Sequence, residues 1–411
     1  MIRMSGPDPA GDRRGADSPR LLREINDQVV LHLLLEHGPS TRGRIGELTG
    51  LSKPTVSSLL ARLEGKGLVT TTGVVAGGPG PNARIYAVDP GAAYVIGVHI
   101  EQEGAVAGLA TLTGELIATH QVPVAARRES SPVGEIELAV GGLLDGAAPD
   151  RSRVRRLVVA TPGVIDPVTG HLRHARHIRG WEAPGLIDTI TDAVGIPVAH
   201  GNDVNLAAVA EGAHGAAKGC EDYALLWLDR GVGLGLVLDG VLRTGAHGGA
   251  GEIGYLGVPG IEPPRADRGG TGAFQSLVGG QGLRALARRF GLRAGEPAAI
   301  VTAALTAGPA GDELLTELAA GIAVGAAAVT TLLDPSLLVL GGPVAVAGGE
   351  ALRERVVERL GQLSFVRTRV ATSTLSGDGV LQGAVETALR SVRSELFGPV
   401  GLSGPVNGRA G

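Results

Sequence analysis

Ser52-Lys53-Pro54-Thr55-Val56-Ser57-Ser58-Leu59-Leu60-Ala61-Arg62-Leu63-Glu64-Gly65-Lys66-Gly67 reads as a helix with two faces. Ser52 is a good N-cap, because its hydroxyl can accept from an orphan backbone N–H of the first turn. Pro54 falls in that turn, where its missing N–H costs little. Val56, Leu59, Leu60 and Leu63 recur at helical spacing and form one apolar stripe. Lys53, Thr55, Ser57, Ser58 and Arg62 fall off the stripe. They are short polar or basic groups of the kind that reach phosphates and base edges. Gly65 and Gly67 stop the helix. The stretch is expected to be a DNA-recognition helix. More than ~300 residues then remain to be explained as the part that governs when it binds.

The flanks agree. From Pro19 a helix is expected to turn Leu22, Ile25, Val29 and Leu33 inward and to end near Gly38-Pro39. Ser40 or Thr41 then caps a short helix carrying Ile45 and Leu48, and Gly50 turns the chain. Helix, short helix, glycine turn and capped helix is the helix-turn-helix order. After it, Leu68–Thr72 and Arg84–Val88 read as two strands around a Gly/Pro-rich tip. They form a β-wing whose Arg84 is placed to touch backbone or minor groove. A plain three-helix bundle with a surface hairpin would share the apolar pattern. Cap, spacing, wing and charge together favour DNA. Residues 40–88 hold six basic side chains (Arg42, Arg44, Lys53, Arg62, Lys66, Arg84) against two acidic ones (Glu47, Glu64), a surplus of +4. The whole chain carries −4, so the remainder carries −8. A small basic module sits on an acidic body. The DNA-contact candidates are Arg42, Arg44, Ser52, Lys53, Thr55, Ser57, Ser58, Arg62 and Arg84.

A chain of 411 residues exceeds one ordinary core, so two or three domains are expected. Apolar residues make up 44% and charged residues 19%, as in a soluble globular protein. Aromatics are 2%, so the core must be built from Ala, Val, Leu and Ile. Cys220 is the lone cysteine, which excludes an intrachain disulfide and a cysteine-based zinc site, and a reducing cytoplasm is the default. No apolar h-region and no run of ~18 uninterrupted apolar residues is present, so neither a signal peptide nor a membrane span is expected.

Beyond a linker at Asp89-Pro90-Gly91 the pattern becomes α/β. Tyr94–Ile100, Ala105–Thr111 and Glu115–Pro123 read as consecutive strands. Leu157–Ala160, Pro197–His200, Tyr223–Leu228, Gly233–Leu238, Val241–Arg243 and Leu337–Leu340 read as further strands. Helices fit Val133–Leu144, Leu186–Val194, Asp312–Leu333, Glu350–Leu363 and Val380–Leu396. The three-strand opening recurs around Tyr223–Arg243, which suggests two similar halves around a cleft. The expected organisation is a disordered tail over 1–18, a winged helix-turn-helix over 19–88, a two-lobed α/β domain over 89–396 and a flexible tail over 397–411.

Three motifs in order, Thr161-Pro162-Gly163-Val164-Ile165-Asp166, Gly201-Asn202-Asp203-Val204-Asn205-Leu206-Ala207-Ala208 and Gly251-Glu252-Ile253-Gly254, follow the winged helix. From about Pro19 to Leu396 the chain resembles the ROK (repressor, open reading frame, kinase) family, which implies an actin-like sugar-kinase fold. In the kinases of that family a Gly-x-Asp-x-Gly-Gly-Thr loop admits ATP phosphates to its backbone amides. Here the aligned run is Gly97-Val98-His99-Ile100-Glu101-Gln102-Glu103. Its two carboxylates would repel a nucleotide. The second phosphate loop reads Asp229-Arg230-Gly231-Val232-Gly233. Gly341-Gly342 matches the adenosine-side glycines and equally fits an ordinary strand-to-helix turn. The family's zinc element has Tyr255 at its His position and Ala266, Arg268 and Ala273 at its Cys positions, so no structural zinc and no cofactor are expected.

The resemblance implies a sugar site at Asn202, Asp203 and Glu252, with Tyr255 and Gln275 in place of the family's His and Glu. Both can hydrogen-bond a polyol. In the kinases the Asp is a general base. Asn202 and Asp203 would equally serve as helix caps. His171, His174 and His177 are interleaved with Arg173, Arg176 and Arg179 and read as a solvated basic loop, and Trp181 as core or cleft wall. The expected function is a cytoplasmic DNA-binding regulator, a repressor, acting on a double-stranded operator as a homodimer or higher oligomer and answering to a sugar or sugar derivative. The alternatives are a ROK sugar kinase with an appended DNA module, and a constitutive repressor whose large domain only dimerises.

Overall fold

The computed structural model describes residues 19–75, 83–101, 104–123, 131–147, 149–166, 168–173, 175, 178–262 and 272–398. The expected tails, the wing tip and His174, Arg176, His177, Ala266 and Arg268 lie outside these residues, except that Phe397 and Gly398 of the C-terminal tail are described. The described chain divides into two compact units. The first holds the described residues of Met1–Tyr94, Ala110–Glu115 and Leu389–Gly411, and the second those of Val95–Leu109 and Leu116–Ala388.

In the first unit, α1 (Pro19–His37), β1 (Ser40–Thr41), α2 (Arg42–Thr49), α3 (Lys53–Gly65), β2 (Val69–Val75) and β3 (Ala83–Val88) follow the winged-helix order. The Thr41 hydroxyl caps α2 by accepting from Arg44 N at 3.3 Å, and Gly50 ends α2 at φ 71°. Ser52 caps α3 by accepting from Thr55 N at 3.4 Å. Val56, Leu59, Leu60 and Leu63 are all buried, as their spacing requires. Strand β1 escaped sequence reading because it is two residues long. It pairs Ser40 with Tyr86 and Thr41 with Ile85, at the edge of a β1-β3-β2 sheet.

Of the four positions expected inward on α1, Leu33 is buried, Ile25 and Val29 are half-buried and Leu22 is not inward. Leu22 is exposed, and the buried positions are Asp27, Val30, Leu31, Leu33 and Leu34. An acidic residue faces inward because it has a partner there, described below, and apolar periodicity alone cannot anticipate that. The end of the last helix, Gly379–Phe397, completes this unit. Phe397 is fully buried and meets His32 edge-on, with ring centroids 5.8 Å apart. Arg393 donates twice to the Leu112 carbonyl, at 3.1 and 3.0 Å.

The second unit is two α/β lobes of one topology. In the first lobe β4 (Tyr94–Glu101), β5 (Gly104–Thr111) and β6 (Leu116–Pro123) are followed by α4 (Pro132–Ala147), β7 (Val154–Thr161), the short hairpin β8 (Val164–Ile165) and β9 (Leu172–Arg173), α5 (Leu186–Val194), β10 (Val198–Asn202) and α6 (Asp203–His214). In the second lobe β11 (Tyr223–Leu228), β12 (Val232–Leu238) and β13 (Val241–Leu242) precede α7 (Ala273–Val278), α8 (Gly280–Arg289), α9 (Pro297–Ala304), α10 (Pro309–Leu333), β14 (Leu337–Gly341), α11 (Gly342–Leu363), β15 (Arg369–Thr372) and α12 (Gly379–Phe397). The five-stranded sheets run β6-β5-β4-β7-β10 and β13-β12-β11-β14-β15. Both therefore have the order third, second, first, fourth, fifth, and the suggested duplication holds strand for strand.

Helices α7 to α9 and strand β15 were not expected. Helix α11 starts earlier than expected, at Gly342, and is interrupted at Gly349 (φ 50°, ψ −140°). Helix α10 is long and apolar enough to cross a membrane by length and composition, yet 61% of its most apolar window is buried inside the protein. Leu314, Leu318, Ile322 and Val329 place it in the second lobe's core, together with the β14 side chains Leu338 and Leu340.

Candidate functional site

Two sites follow from this architecture. On α3, the buried stripe points Lys53, Thr55 and Ser58 outward, at the helix N-terminal half. Ser52 is committed to its cap. Ser57 donates to the Lys53 carbonyl at 2.9 Å and accepts from Arg42 Nη1 at 2.9 Å, so it ties α2 to α3 and orients Arg42. Arg44 makes an exposed pair with Glu47 at 3.3 Å, an interaction worth little in water and open to competition from phosphate. Arg84 is exposed on β3.

Arg62 departs from the expectation. Its Nε donates to Asp27 Oδ2 at 3.0 Å and its Nη2 to Asp27 Oδ1, while Lys66 Nζ lies 3.4 Å from the same carboxylate. Asp27 is buried. Arg62 therefore fastens α3 to α1 through a bidentate ion pair and does not belong with the side chains available to phosphate.

The second site is a cavity of about 1260 Å³ in the large unit. Its wall comes from the carboxyl ends of the strands: His99 and Glu101 at the end of β4, Asn202 and Asp203 where β10 meets α6, and Asp229 to Val232 between β11 and β12. Glu252, Gly342 and the Gly377–Val380 turn complete it. Ligands of α/β folds collect at such ends, because loops and helix N-termini converge there.

Asn202 caps α6 by accepting from Asn205 N at 3.0 Å, and its Nδ2 donates to the Gly163 carbonyl at 2.9 Å. Two of the three motifs are thereby clamped together. Gly163 sits at φ 110°, where a Cβ would lie 2.7 Å from the Arg173 carbonyl oxygen, so glycine is required. Asp203 Oδ1 accepts from Val204 N at 2.7 Å. Burial pushes its carboxyl up to about 6; the Val204 hydrogen bond and His99 pull the other way, and Glu252 adds to the rise.

Of the five expected ligand residues, Asn202, Asp203 and Glu252 line the cavity; Tyr255 and Gln275 do not. Tyr255 is exposed. Gln275 accepts from Val232 N at 2.7 Å and donates to the Arg230 carbonyl at 2.7 Å, so its amide staples the turn between β11 and β12. Trp181 is buried. It donates to Glu135 at 3.4 Å and borders a separate cavity of about 290 Å³.

The sequence did not single out Asp378 or give His99 a role. His99 Nδ1 lies 2.8 Å from Asp378 Oδ2 and 3.4 Å from Glu101 Oε1, a strap across 279 residues of chain. Burial works against the charged imidazolium, but the hydrogen bond and charge of Asp378, backed by Glu101 and Asp203, outweigh it and raise the His99 pKa. No local signal could have paired these residues. Among the described residues, His99, Glu101 and Asp378 are the set whose donor atoms, all within 4.8 Å of one another, could share a cation. Tyr255 and Ala273, at two positions of the zinc element, are not tetrahedral zinc ligands.

Because the folded body holds the Asp203 proton more tightly than the unfolded chain does, this group favours folding most at low pH. That contribution is lost as pH rises toward about 6. Asp203→Asn keeps the acceptor for Val204 N and removes the charge. It is expected to stabilise the body by about 2 kcal/mol at pH 8, from a rise of roughly two pKa units at 1.36 kcal/mol each with allowance for relaxation, and to have little effect at pH 4. Thermal unfolding of both proteins at the two pH values checks this, and equal differences at both would refute it.

Residues 95–390 match the model of the ROK family, and residues 29–78 match that of the MarR family. The N-acetylglucosamine repressor of Escherichia coli is 26% identical over 259 residues. The match spans 62% of this chain and 62% of that repressor's length. A crystal structure of a ROK family transcriptional regulator, a homologue of the E. coli MLC protein, superposes with a TM-score of 0.71 at 20% identity, covering 92% of this chain and 98% of that one. A ROK family glucokinase from Streptomyces griseus in complex with glucose and AMPPNP gives 0.59 at 26% identity, over 72% of this chain and 99% of that one.

Proposed function

We propose that this chain, which belongs to the ROK family, is a DNA-binding transcriptional repressor whose two-lobed body holds a small polyhydroxyl effector in its cleft. The observation that carries the reading is the joining, in one polypeptide, of a capped and outward-facing α3 to a ROK body. The N-terminal half of α3 enters the major groove, Lys53, Thr55 and Ser58 meet phosphates and base edges, and Arg42, Arg44 and Arg84 hold the backbone. A homodimer presents two such helices to half-sites ~34 Å apart on a near-palindromic operator. An effector that prefers one of two states of the body changes DNA affinity by the ratio of its own affinities for those states. The site of action is the cytoplasm.

DNA retardation with the segment upstream of the chain's own operon tests the proposal, and a failure to prefer it over unrelated DNA across a salt series would sink it. Lys53→Ala is expected to weaken operator binding without shifting the melting temperature. If Lys53 meets a phosphate, affinity falls alike on all sequences and the salt slope drops by about 1; if it meets a base edge, discrimination at one position relaxes by roughly 1–3 kcal/mol.

The sugar-kinase reading has Asn202, Asp203 and Glu252 in its favour. Against it stand Glu101 and Asp229 on the cavity wall, where a nucleotide's phosphates would meet negative charge. ATP-dependent phosphorylation of glucose, N-acetylglucosamine or N-acetylmannosamine in a coupled assay would overturn the non-enzymatic choice.

A further inference from the structure

The first lobe holds a second cavity, of about 290 Å³, between the β8–β9 hairpin, the start of α5 and strand β10. None of its lining residues lines the larger cavity. Ile165, Leu172, Leu186 and Ile187 give it apolar side chains. Trp181 adds ring carbons, since its indole N–H is taken by Glu135 at 3.4 Å. A cavity of about 150 Å³ lined by Leu, Ile and Phe takes up benzene, so this one has room for one ring or two fused rings.

The polar groups of the wall narrow the choice. Asp188 and His171 are exposed, where water screens their charge. His200 is half-buried on β10 and neutral, because burial brings its pKa down to about 4. Its Nε2 lies 2.7 Å from Thr161 Oγ1. Its Nδ1 is enclosed and, among the described residues, has no hydrogen-bond partner. A polar atom enclosed without a partner is costly, and a ligand that reaches it recovers that cost. If Nε2–H donates to Thr161, Nδ1 is an acceptor; if the Thr161 hydroxyl donates, Nδ1–H is a donor. A hydroxyl on the ligand suits both cases, because it donates and accepts. A charged substituent would lose its water against an apolar wall, with a neutral imidazole for partner.

We propose that this cavity is a second ligand site, which takes a neutral aromatic alcohol of one or two rings. The ring lies among Leu172, Trp181 and Leu186, and the hydroxyl meets His200 Nδ1 after a small turn of the imidazole. The proposal does not depend on what the larger cavity holds or on DNA binding.

Calorimetric titration of the full chain with phenol and 2-naphthol tests this. Naphthalene lacks the hydroxyl, 2-naphthoate carries a charge and glucose lacks the aromatic ring; each is a separate arm. 2-Naphthol is expected to bind about five-fold or more tightly than naphthalene. It is expected to bind about ten-fold or more tightly than 2-naphthoate, and glucose is expected not to displace it. His200→Phe combined with Thr161→Val keeps a ring and a branched side chain but removes both ends of the hydrogen bond. It is expected to bring 2-naphthol down to the affinity of naphthalene and to leave naphthalene unchanged. Ala183→Leu adds bulk to the wall at an exposed residue, and keeps the test open if the double variant melts early. It is expected to weaken 2-naphthol about ten-fold or more. Absence of binding by either alcohol would overturn the proposal, as would naphthalene or 2-naphthoate binding as tightly as 2-naphthol. Displacement by glucose, or 2-naphthol affinity unchanged in a folded variant, would place the alcohol elsewhere and overturn it too.

Discussion

Arg62→Ala is expected to destabilise the winged helix by about 2–4 kcal/mol, although Arg62 lies on the recognition helix and looks from sequence like a phosphate contact. Asp27 is buried, with its carboxylate bonded by Arg62 from one side and approached by Lys66 at 3.4 Å. Removing the guanidinium leaves that carboxylate with only the half-exposed ammonium, and an uncompensated buried charge is what makes breaking such pairs costly. Lys66 and the partial exposure of Arg62 keep the effect toward the lower part of the range. Urea unfolding followed through this unit measures it. Arg62→Leu combined with Asp27→Leu is expected to recover most of the stability, because neither charge is then left buried. A variant that unfolds like the parent and fails only on DNA would return Arg62 to the phosphate-binding set.

The contrast between Arg62 and Lys53 shows what the sequence could and could not reveal. Helix α3, its cap at Ser52 and its apolar stripe were legible, because periodicity and capping act within a few residues. The partner of Arg62 lies 35 residues away on a helix whose apolar pattern, read without it, placed Leu22 inward. The body follows the same division. Tyr94–Ile100 and Tyr223–Leu228 were readable as strands, and the repetition of the three-strand opening was readable as two halves. The strap from His99 to Asp378 was not, since it joins the first strand of one lobe to the turn before the last helix. Likewise Gln275 has the residue type of a sugar ligand, but only the folded arrangement shows its amide bonded to Val232 and Arg230 and its side chain off the cavity wall. Motif residues fix the shape of a cleft through the backbone as much as they line it.

The motif glycine Gly251 extends that argument to a prediction. It sits at φ 91°, a region that disfavours L side chains by about 1–2 kcal/mol, and a Cβ there would overlap the Leu234 carbonyl oxygen. The same two residues are joined by Leu234 N donating to the Gly251 carbonyl at 2.9 Å, so this loop lies directly on β12. The two backbones cannot part without breaking that bond, and they cannot stay without a clash. Gly251→Ala is therefore expected to shift the Gly251–Gly254 turn, to carry Glu252 off the cavity wall, and to cost the body more than about 3 kcal/mol when strain, clash and the broken hydrogen bond combine. Neighbouring Gly249 has nothing within 4 Å of its Cβ position and no positive φ, which makes Gly249→Ala a matched control expected to be nearly silent. Thermal unfolding of the pair, with effector titration where the variant stays folded, separates the outcomes. Failure of the ligand response in Gly251→Ala with Gly249→Ala unaffected would place the requirement in the backbone packing against β12. Equal behaviour of the two variants would show that the loop has room to move and that Glu252 is held from elsewhere.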